Sequence, residues 1–241
     1  MDAPLIRVLD DPAAVALEAA REFVALARCP GRFRVALAGG STPRTLYHLL
    51  ATRFRNDVDW NRVEAYFGDE RCVGPDHEHS NHRMARESLL RHVPIGAVLR
   101  IEGESGADAA ADRYDRLLRA LGEPLFDLVL LGMGADGHTL SLFPGYDPRS
   151  MEGRLAVPAL APPEAPVRQR VTLTPQAVAR SRVALFLVTG ADKALALRRV
   201  REHATPATPS TPITPPPPAA TIHARDKTVW LVDRAANGDG R

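Results

Sequence analysis

Short apolar runs alternate along this chain with amphipathic stretches at helical spacing, and glycine, proline or a capping residue marks each change of period. Asp11-Pro12 predicts a helix start, with aspartate as N-cap and proline in the first turn. Val15, Leu17, Ala20, Phe23, Val24 and Ala27 then give that helix one apolar face up to about Arg28. Residues 33–38 read as a strand that runs into Gly39-Gly40-Ser41-Thr42-Pro43. Thr42 as cap and Pro43 as first residue predict a helix there, with Leu46, Leu49 and Leu50 facing inward. Residues 63–68 predict a second strand, ending in Asp69-Glu70-Arg71 and a polar loop, and Ser80 is placed to cap a helix bearing Met84, Leu89 and Leu90. Residues 99–101 predict a short strand and 107–121 a helix. Residues 126–131 are apolar apart from Asp127, continuous enough for a strand buried on both faces. Strands follow at 169–173, 183–188 and near 228–232, with a helix from about 192 to 202 before the last. This alternation predicts an α/β fold, a mostly parallel sheet with helices on both faces.

One stretch stands outside the pattern. Residues 205–218 read TPATPSTPITPPPP. Proline removes backbone donors and fixes φ, so neither a core helix nor a central strand fits, and an extended surface loop is expected. A docking site for a partner that reads Pro-rich segments is the less favoured alternative. A second Pro-rich turn is expected at 158–166. With no internal repeat and no clear boundary, residues 1–241 read as one domain.

Composition narrows the function classes. Of 241 residues, 45% are hydrophobic and 25% charged, the balance of an ordinary globular protein. No apolar run approaches the ~20 residues needed to span a bilayer, and MDAPLIRVLDDP lacks a signal-peptide core. Cys29 and Cys72 make neither a metal pair nor a disulfide framework, so a cytoplasmic location without membrane attachment is expected. The net charge of +2 gives no argument for nucleic acid. Among 31 basic residues only Lys193 and Lys227 are lysine. A lysine that persists amid so much arginine is a candidate for work a planar guanidinium does not do, since the two cations are not interchangeable.

Four places carry chemistry. Gly39, Gly40, Ser41 and Thr42 lie where a strand gives way to a helix, and free N–H groups at a helix N-terminus make an anion site; the same letters also suit a tight capped turn. Asp69-Glu70-Arg71 places Arg71 at a strand's carboxyl end, where a guanidinium can grip a phosphate, although a solvated salt-bridged loop is the commoner use of such a triplet. His77, His79 and His82 follow without the spacing of a zinc site and read as loop histidines. Residues 132–137, GMGADG, match a dinucleotide fingerprint, but they lie past mid-chain and Pro144-Gly145 curtail the long helix that fingerprint needs. What remains is His138 beside Asp136 in a glycine turn, competent as a general base near neutral pH or simply a structural histidine. Lys193, in the first turn of its helix, opposes the macrodipole unless an anion binds there.

Taken together, AGGSTP at 38–43, DERCV at 69–73 with Ser80-Asn81, GMGADGHTLSLFPG at 132–145, RVTLT at 170–174, GADK at 190–193 and WLVDRAA at 230–236 resemble the 6-phosphogluconolactonase family, within the group that includes the glucosamine-6-phosphate isomerases/deaminases. Arg71 and the SLFPG segment favour the lactonase branch, since the deaminases typically carry DEY and a sequence like IAFNEP at these places. The resemblance implies a Rossmann-like sheet and hydrolysis of 6-phospho-D-glucono-1,5-lactone to 6-phosphogluconate, a step of the oxidative pentose phosphate pathway, with no metal or organic cofactor. It implies His138 as general base on water, Asp136 as its orienting partner, and Gly39, Gly40, Ser41, Thr42, Arg71 and Lys193 as the phosphate grip. Asp69 and Arg170 fall in matching motifs without an assigned role. Backbone N–H groups near residues 134–137 are the expected oxyanion donors, and a monomer or weak homo-oligomer acting on a small sugar-phosphate lactone is the expected state.

Overall fold

The computed structural model describes residues 5–204 and 215–239. Seven strands form one sheet in the order β1 (Leu5–Leu9), β10 (Lys227–Asp233), β9 (Val183–Val188), β6 (Leu128–Gly132), β2 (Phe33–Leu37), β3 (Val63–Phe67), β5 (Ala97–Val98). Every neighbouring pair in it is parallel. All of β9 is buried and only the last residue of β6 is not, as strands covered on both faces require. Helix α1 (Pro12–Ala27) turns Val15, Ala16, Ala19, Ala20, Phe23, Val24 and Ala27 into the core, packing on α2 (Ser41–Ala51) and against β9 and β10. Its predicted cap holds: the Asp11 carboxylate accepts from the Ala14 N–H at 2.8 Å. Phe186 and Trp230, paired across β9 and β10, stack with their centroids 3.8 Å apart.

A second, smaller sheet is antiparallel: β4 (Asp69–Arg71), β8 (Gln169–Leu173) and β7 (Ala156–Leu160), covered by α4 (Ala107–Arg119). It corrects the sequence reading in three ways. Asp69-Glu70-Arg71, with Asp69 and Glu70 buried, is a separate strand in this sheet rather than the end of the 63–68 strand. The 169–173 strand pairs here rather than in the parallel sheet. The expected turn at 158–166 begins inside β7, where Pro158 is tolerated because the strand lies on the sheet's edge.

Smaller corrections follow from local backbone chemistry. Helix α2 starts at Ser41 with Gly40 as N-cap, φ +106°, a value that favours glycine, so Thr42 is not the cap. Ser80 does cap α3 (Asn81–Ser88), accepting from the Arg83 N–H, but the helix stops before Leu89 and Leu90. The strand expected at 99–101 is absent there; the two-residue β5 ends at Val98, just before it. A 3₁₀ turn, Ala191–Lys193, precedes α6 (Ala194–Ala204). Two short helices, α5 (Pro175–Ala179) and α7 (Arg234–Asn237), complete the set among the described residues. Of the Pro-rich stretch, residues 205–214 lie outside the described residues; Pro215 and Pro216 are exposed, whereas Pro217 and Pro218 are buried, so the surface-loop reading fails for the last two. No helix among the described residues is long and apolar enough to cross a membrane.

The strand order reverses between β2 and β6. From β2 the chain steps outward to β3 and β5, and from β6 it steps the other way to β9 and β10. Two buried tyrosines fix the strand ends on one side of this point. Tyr47 Oη accepts from the Ala38 N–H at 2.9 Å and donates to the Ala38 carbonyl at 2.8 Å, and Tyr114 does the same for Phe67. Backbone groups that leave the ladder are thereby satisfied without water. Burial pushes both phenols far up from their ordinary value.

Candidate active site

A cleft of about 310 Å³ opens at the carboxyl edge of β2, β6 and β9, at the reversal point where open α/β sheets place ligands. Gly39, Gly40, Ser41, Thr42, Arg71, His138 and Lys193 all line it, so distant motifs converge on one place. Asp136 stands behind His138 rather than on the wall.

The glycine segment is built for close approach. Helix α2 begins without a side-chain cap, leaving its first-turn N–H groups and the positive end of its dipole facing the cleft. At Gly39 an added Cβ would lie 2.1 Å from Asn81 Oδ1, so only glycine admits that side chain. Asn81 Nδ2 in turn donates to the Asp69 carbonyl at 2.9 Å and to Asp69 Oδ1 at 3.0 Å. Ser141 donates to the other carboxylate oxygen, Oδ2, at 2.6 Å. Asp69 therefore ties the glycine segment, its own strand and the turn after His138 together. Beside it, buried Glu70 accepts from the N–H groups of Arg71, Asn81 and His82 and from Ser80 Oγ. Burial pushes the Glu70 carboxyl up against those donors, and the Asp69 charge adds to the rise.

The loop after β6 holds the imidazole. His138 Nδ1 lies 2.6 Å from Asp136 Oδ1, and the His138 backbone N–H donates to the same oxygen at 3.1 Å. With a carboxylate on Nδ1, that nitrogen carries the proton and Nε2 keeps its lone pair. Partial burial alone raises the Asp136 carboxyl, but the His138 N–H and the imidazole outweigh it and hold the group below the usual range. The pair lies directly over Gly134, where a Cβ would fall 2.1 Å from His138 Nδ1 and 2.5 Å from Asp136 Oδ1. The Gly134 N–H donates to the His138 carbonyl at 2.8 Å and the Gly137 N–H to the Gly134 carbonyl at 3.0 Å. These two groups close the loop on itself, which removes them as the expected oxyanion donors.

Three cations complete the wall. Arg71 and Arg170 are cross-strand neighbours on β4 and β8. Arg71 Nη1 donates to the His79 carbonyl at 2.7 Å, while its Nε is buried without a partner. Arg170 Nε donates to the Val167 carbonyl at 3.2 Å. Burial pulls the Arg170 guanidinium below its ordinary value, and the Arg71 charge pulls it further. Lys193 Nζ, by contrast, pairs with Asp192 Oδ2 at 2.8 Å. Its turn is held by Asp233, whose carboxylate accepts from Gly190 N–H at 3.1 Å while capping α7. Thr42 Oγ1 and Thr189 Oγ1, 2.8 Å apart, join this turn to the glycine segment.

Sequence reasoning missed several of these residues. Asn81, Ser141 and Thr189 carry no signal beyond membership in a motif, because their partners are far away in the chain. Phe143 is the more legible omission, an aromatic close behind an Asp-x-His. Its ring lies 4.8 Å from that of His138, tilted by 40°, and 5.9 Å from Arg170 Cζ. Among the described residues no three His, Cys, Asp or Glu side chains gather as a metal site, and His77 Nδ1 simply accepts from the His79 N–H.

A family model described as glucosamine-6-phosphate isomerases/6-phosphogluconolactonase matches residues 10–230. A 6-phosphogluconolactonase of Aggregatibacter actinomycetemcomitans is 33% identical over 222 residues, covering 90% of this chain and 91% of that one. The Arabidopsis thaliana protein named "6-phosphogluconolactonase 3, chloroplastic" is 35% identical over 221 residues, 86% of this chain; the match spans 65% of that longer protein. The solved structure of 6-phosphogluconolactonase from Trypanosoma cruzi superposes with a TM-score of 0.82 at 28% identity, covering 99% of this chain and 98% of that one.

Proposed function

The chain belongs to the glucosamine-6-phosphate isomerase/6-phosphogluconolactonase family, and from that membership we propose that it hydrolyses 6-phospho-D-glucono-1,5-lactone to 6-phosphogluconate. The observation that carries the reading is the Asp136–His138 pair, 2.6 Å apart, beside a cleft that also holds an uncapped helix N-terminus and three cations.

A lactone is an ester, and its hydrolysis needs an activated water and stabilisation of the charge that develops on the carbonyl oxygen. Asp136 keeps the His138 proton on Nδ1, so Nε2 takes a proton from water as it attacks the carbonyl carbon. The imidazolium so formed is stabilised by the same carboxylate and then returns the proton to the departing ring oxygen. The substrate's phosphate is a handle remote from the reacting bond, whose binding energy orients the lactone. Gly39, Gly40, Ser41 and Thr42 offer backbone N–H groups to it, and Arg71 and Lys193 offer charge. Arg170, beside Arg71, adds to the positive field in which the oxyanion forms.

The test is acid release from freshly made 6-phosphogluconolactone, read against the spontaneous background. His138→Ala is expected to lower kcat by about 10²–10⁴-fold. Lys193→Ala is expected to act mainly on KM. Undiminished turnover in His138→Ala would remove the base assignment, and a wild-type protein no faster than background would remove the activity.

A further inference from the structure

The end of the Pro-rich stretch and the residues just after it pack on the loop that carries His138. An ideal Cβ placed on Gly137, the residue between Asp136 and His138, would fall 2.6 Å from Pro217 Cβ, so the proline lies directly against that glycine's Cα. Gly137 has φ +84°, which favours glycine independently of the contact. Two residues on, the Ala219 N–H donates to the Gly137 carbonyl at 3.0 Å. Pro217, Pro218, Ala219 and Ala220 are buried, so these contacts exclude water from the far side of the loop. Thr221 Oγ1 donates to the Pro218 carbonyl at 2.8 Å, which leaves its oxygen to accept from Tyr146 Oη, also at 2.8 Å. Residues 217–221 thus grip both flanks of the turn that presents the imidazole, at Gly137 before His138 and at Tyr146 after it.

Resting on the reading of His138 as general base, we propose that residues 217–221 are a positioning element for catalysis: they hold the Asp136–His138 pair at its working place over Gly134. Among the described residues its contacts with the site go to Gly137 and Tyr146, on the catalytic loop rather than the phosphate grip. It acts on the proton-transfer step and leaves substrate binding alone. The loop's own hydrogen bonds, Gly134 N–H to His138 carbonyl and Gly137 N–H to Gly134 carbonyl, fix its internal shape but not its placement against the sheet. That placement comes from Thr139 Oγ1 on the Gly132 carbonyl, at 2.7 Å, and Ser141 on Asp69 from one side, and from residues 217–221 on the other.

The experiment compares Pro217→Gly, which removes the Cβ over Gly137, with Pro217→Ala, which keeps it. At a temperature where both are folded, Pro217→Gly is expected to lose about tenfold in kcat, with KM and inhibition by 6-phosphogluconate changed less than twofold; Pro217→Ala recovers most of the loss. Deuterium uptake across residues 133–142 is read in parallel and is expected to rise in Pro217→Gly, because the Gly134 and Gly137 amides open more often. Tyr146→Phe, which deletes only the bond to Thr221, is expected to move both readouts in the same direction by a smaller amount and serves if the glycine variant does not fold. An unchanged kcat and unchanged uptake in a folded variant overturn the proposal, and so does a loss shared equally by kcat and product affinity, which marks a merely structural segment. A wild-type protein without lactonase turnover defeats the function itself, while the exchange readout still decides whether these residues hold the loop.

Discussion

Gly134→Ala isolates the placement of the His138–Asp136 pair from its chemistry. The alanine methyl would arrive 2.1 Å from His138 Nδ1, 2.3 Å from Cε1 and 2.5 Å from Asp136 Oδ1, where ordinary contact begins near 3.4 Å. The nearest ring atom must therefore retreat by about 1.3 Å, and misplacement of a catalytic group by about 1 Å costs on the order of 10²-fold in rate. That loss corresponds to about 2.7 kcal/mol of transition-state stabilisation. Gly134 is not among the glycines at positive φ, so alanine meets no backbone penalty there, and overpacking is expected to cost folding only about 1–3 kcal/mol. The assay is steady-state lactone hydrolysis, with inhibition by 6-phosphogluconate as the measure of the phosphate grip and urea unfolding as the measure of the fold. The expected result is a fall of about 10² in kcat with product affinity near that of the wild type. A folded Gly134→Ala protein whose kcat stays within about threefold of the wild type would refute the claim that the pair works in this position.

Two other substitutions test neighbouring statements. Phe143→Leu removes a ring that contacts both His138 and Arg170; a several-fold fall in kcat/KM is expected, about what a loss of ~1 kcal/mol gives, and Phe143→Tyr should restore most of it in the same assay. Asp115 accepts from the Leu155 and Ala156 N–H groups, at 2.6 and 3.3 Å, and from Arg119 Nε at 2.7 Å. Burial alone would raise its carboxyl, yet the Arg119 hydrogen bond and the two N–H groups hold it below the ordinary aspartate value of 3.8. A carboxyl depressed on folding stabilises above its unfolded pKa and loses that contribution as pH falls through the folded one. Asp115→Ala is accordingly expected to cost about 2 kcal/mol at neutral pH and progressively less below pH 3.8 in denaturant titrations at several pH values. A gap that stays constant with pH would show that the charge is irrelevant.

The parallel sheet was legible because its strands carry their own signal. Residues 183–188 and 128–131 are apolar without interruption, the pattern that burial on both faces favours. The antiparallel sheet was not, because β4 is three residues long and carries three charged side chains. Its strand character comes from pairing with β8, a hundred residues away, and from N–H groups around Glu70 that only the folded chain assembles. Thr42 shows the same limit at the site. Its place before a proline suits a cap, but the positive φ of Gly40 starts the helix earlier and frees the hydroxyl to reach Thr189. The Asp-x-His pair could be read directly, since both members and the glycines that admit them lie within five residues. The oxyanion donors could not, because whether an N–H is free depends on where the loop's own carbonyls turn.

The three cations of the cleft are not equivalent, and their partners rank them. Among the described residues Arg71 and Arg170 share no ion pair; each leans on a backbone carbonyl, and the two like charges sit side by side. Partial burial and the neighbouring Arg71 charge both hold the Arg170 guanidinium below its ordinary value. On the proposed reading the substrate's phosphate meets Arg71 without displacing an ionic partner, and its charge offsets the repulsion between the two guanidiniums. Lys193 must share or release Asp192, at 2.8 Å, before its charge is fully available. That exposed pair is itself weak, and little is lost in the exchange. On the proposed reading Arg71 therefore supplies the larger share of phosphate affinity, while the lysine, on a turn held by Asp233 and joined through Thr189 to the glycine segment, contributes most to where the phosphate sits.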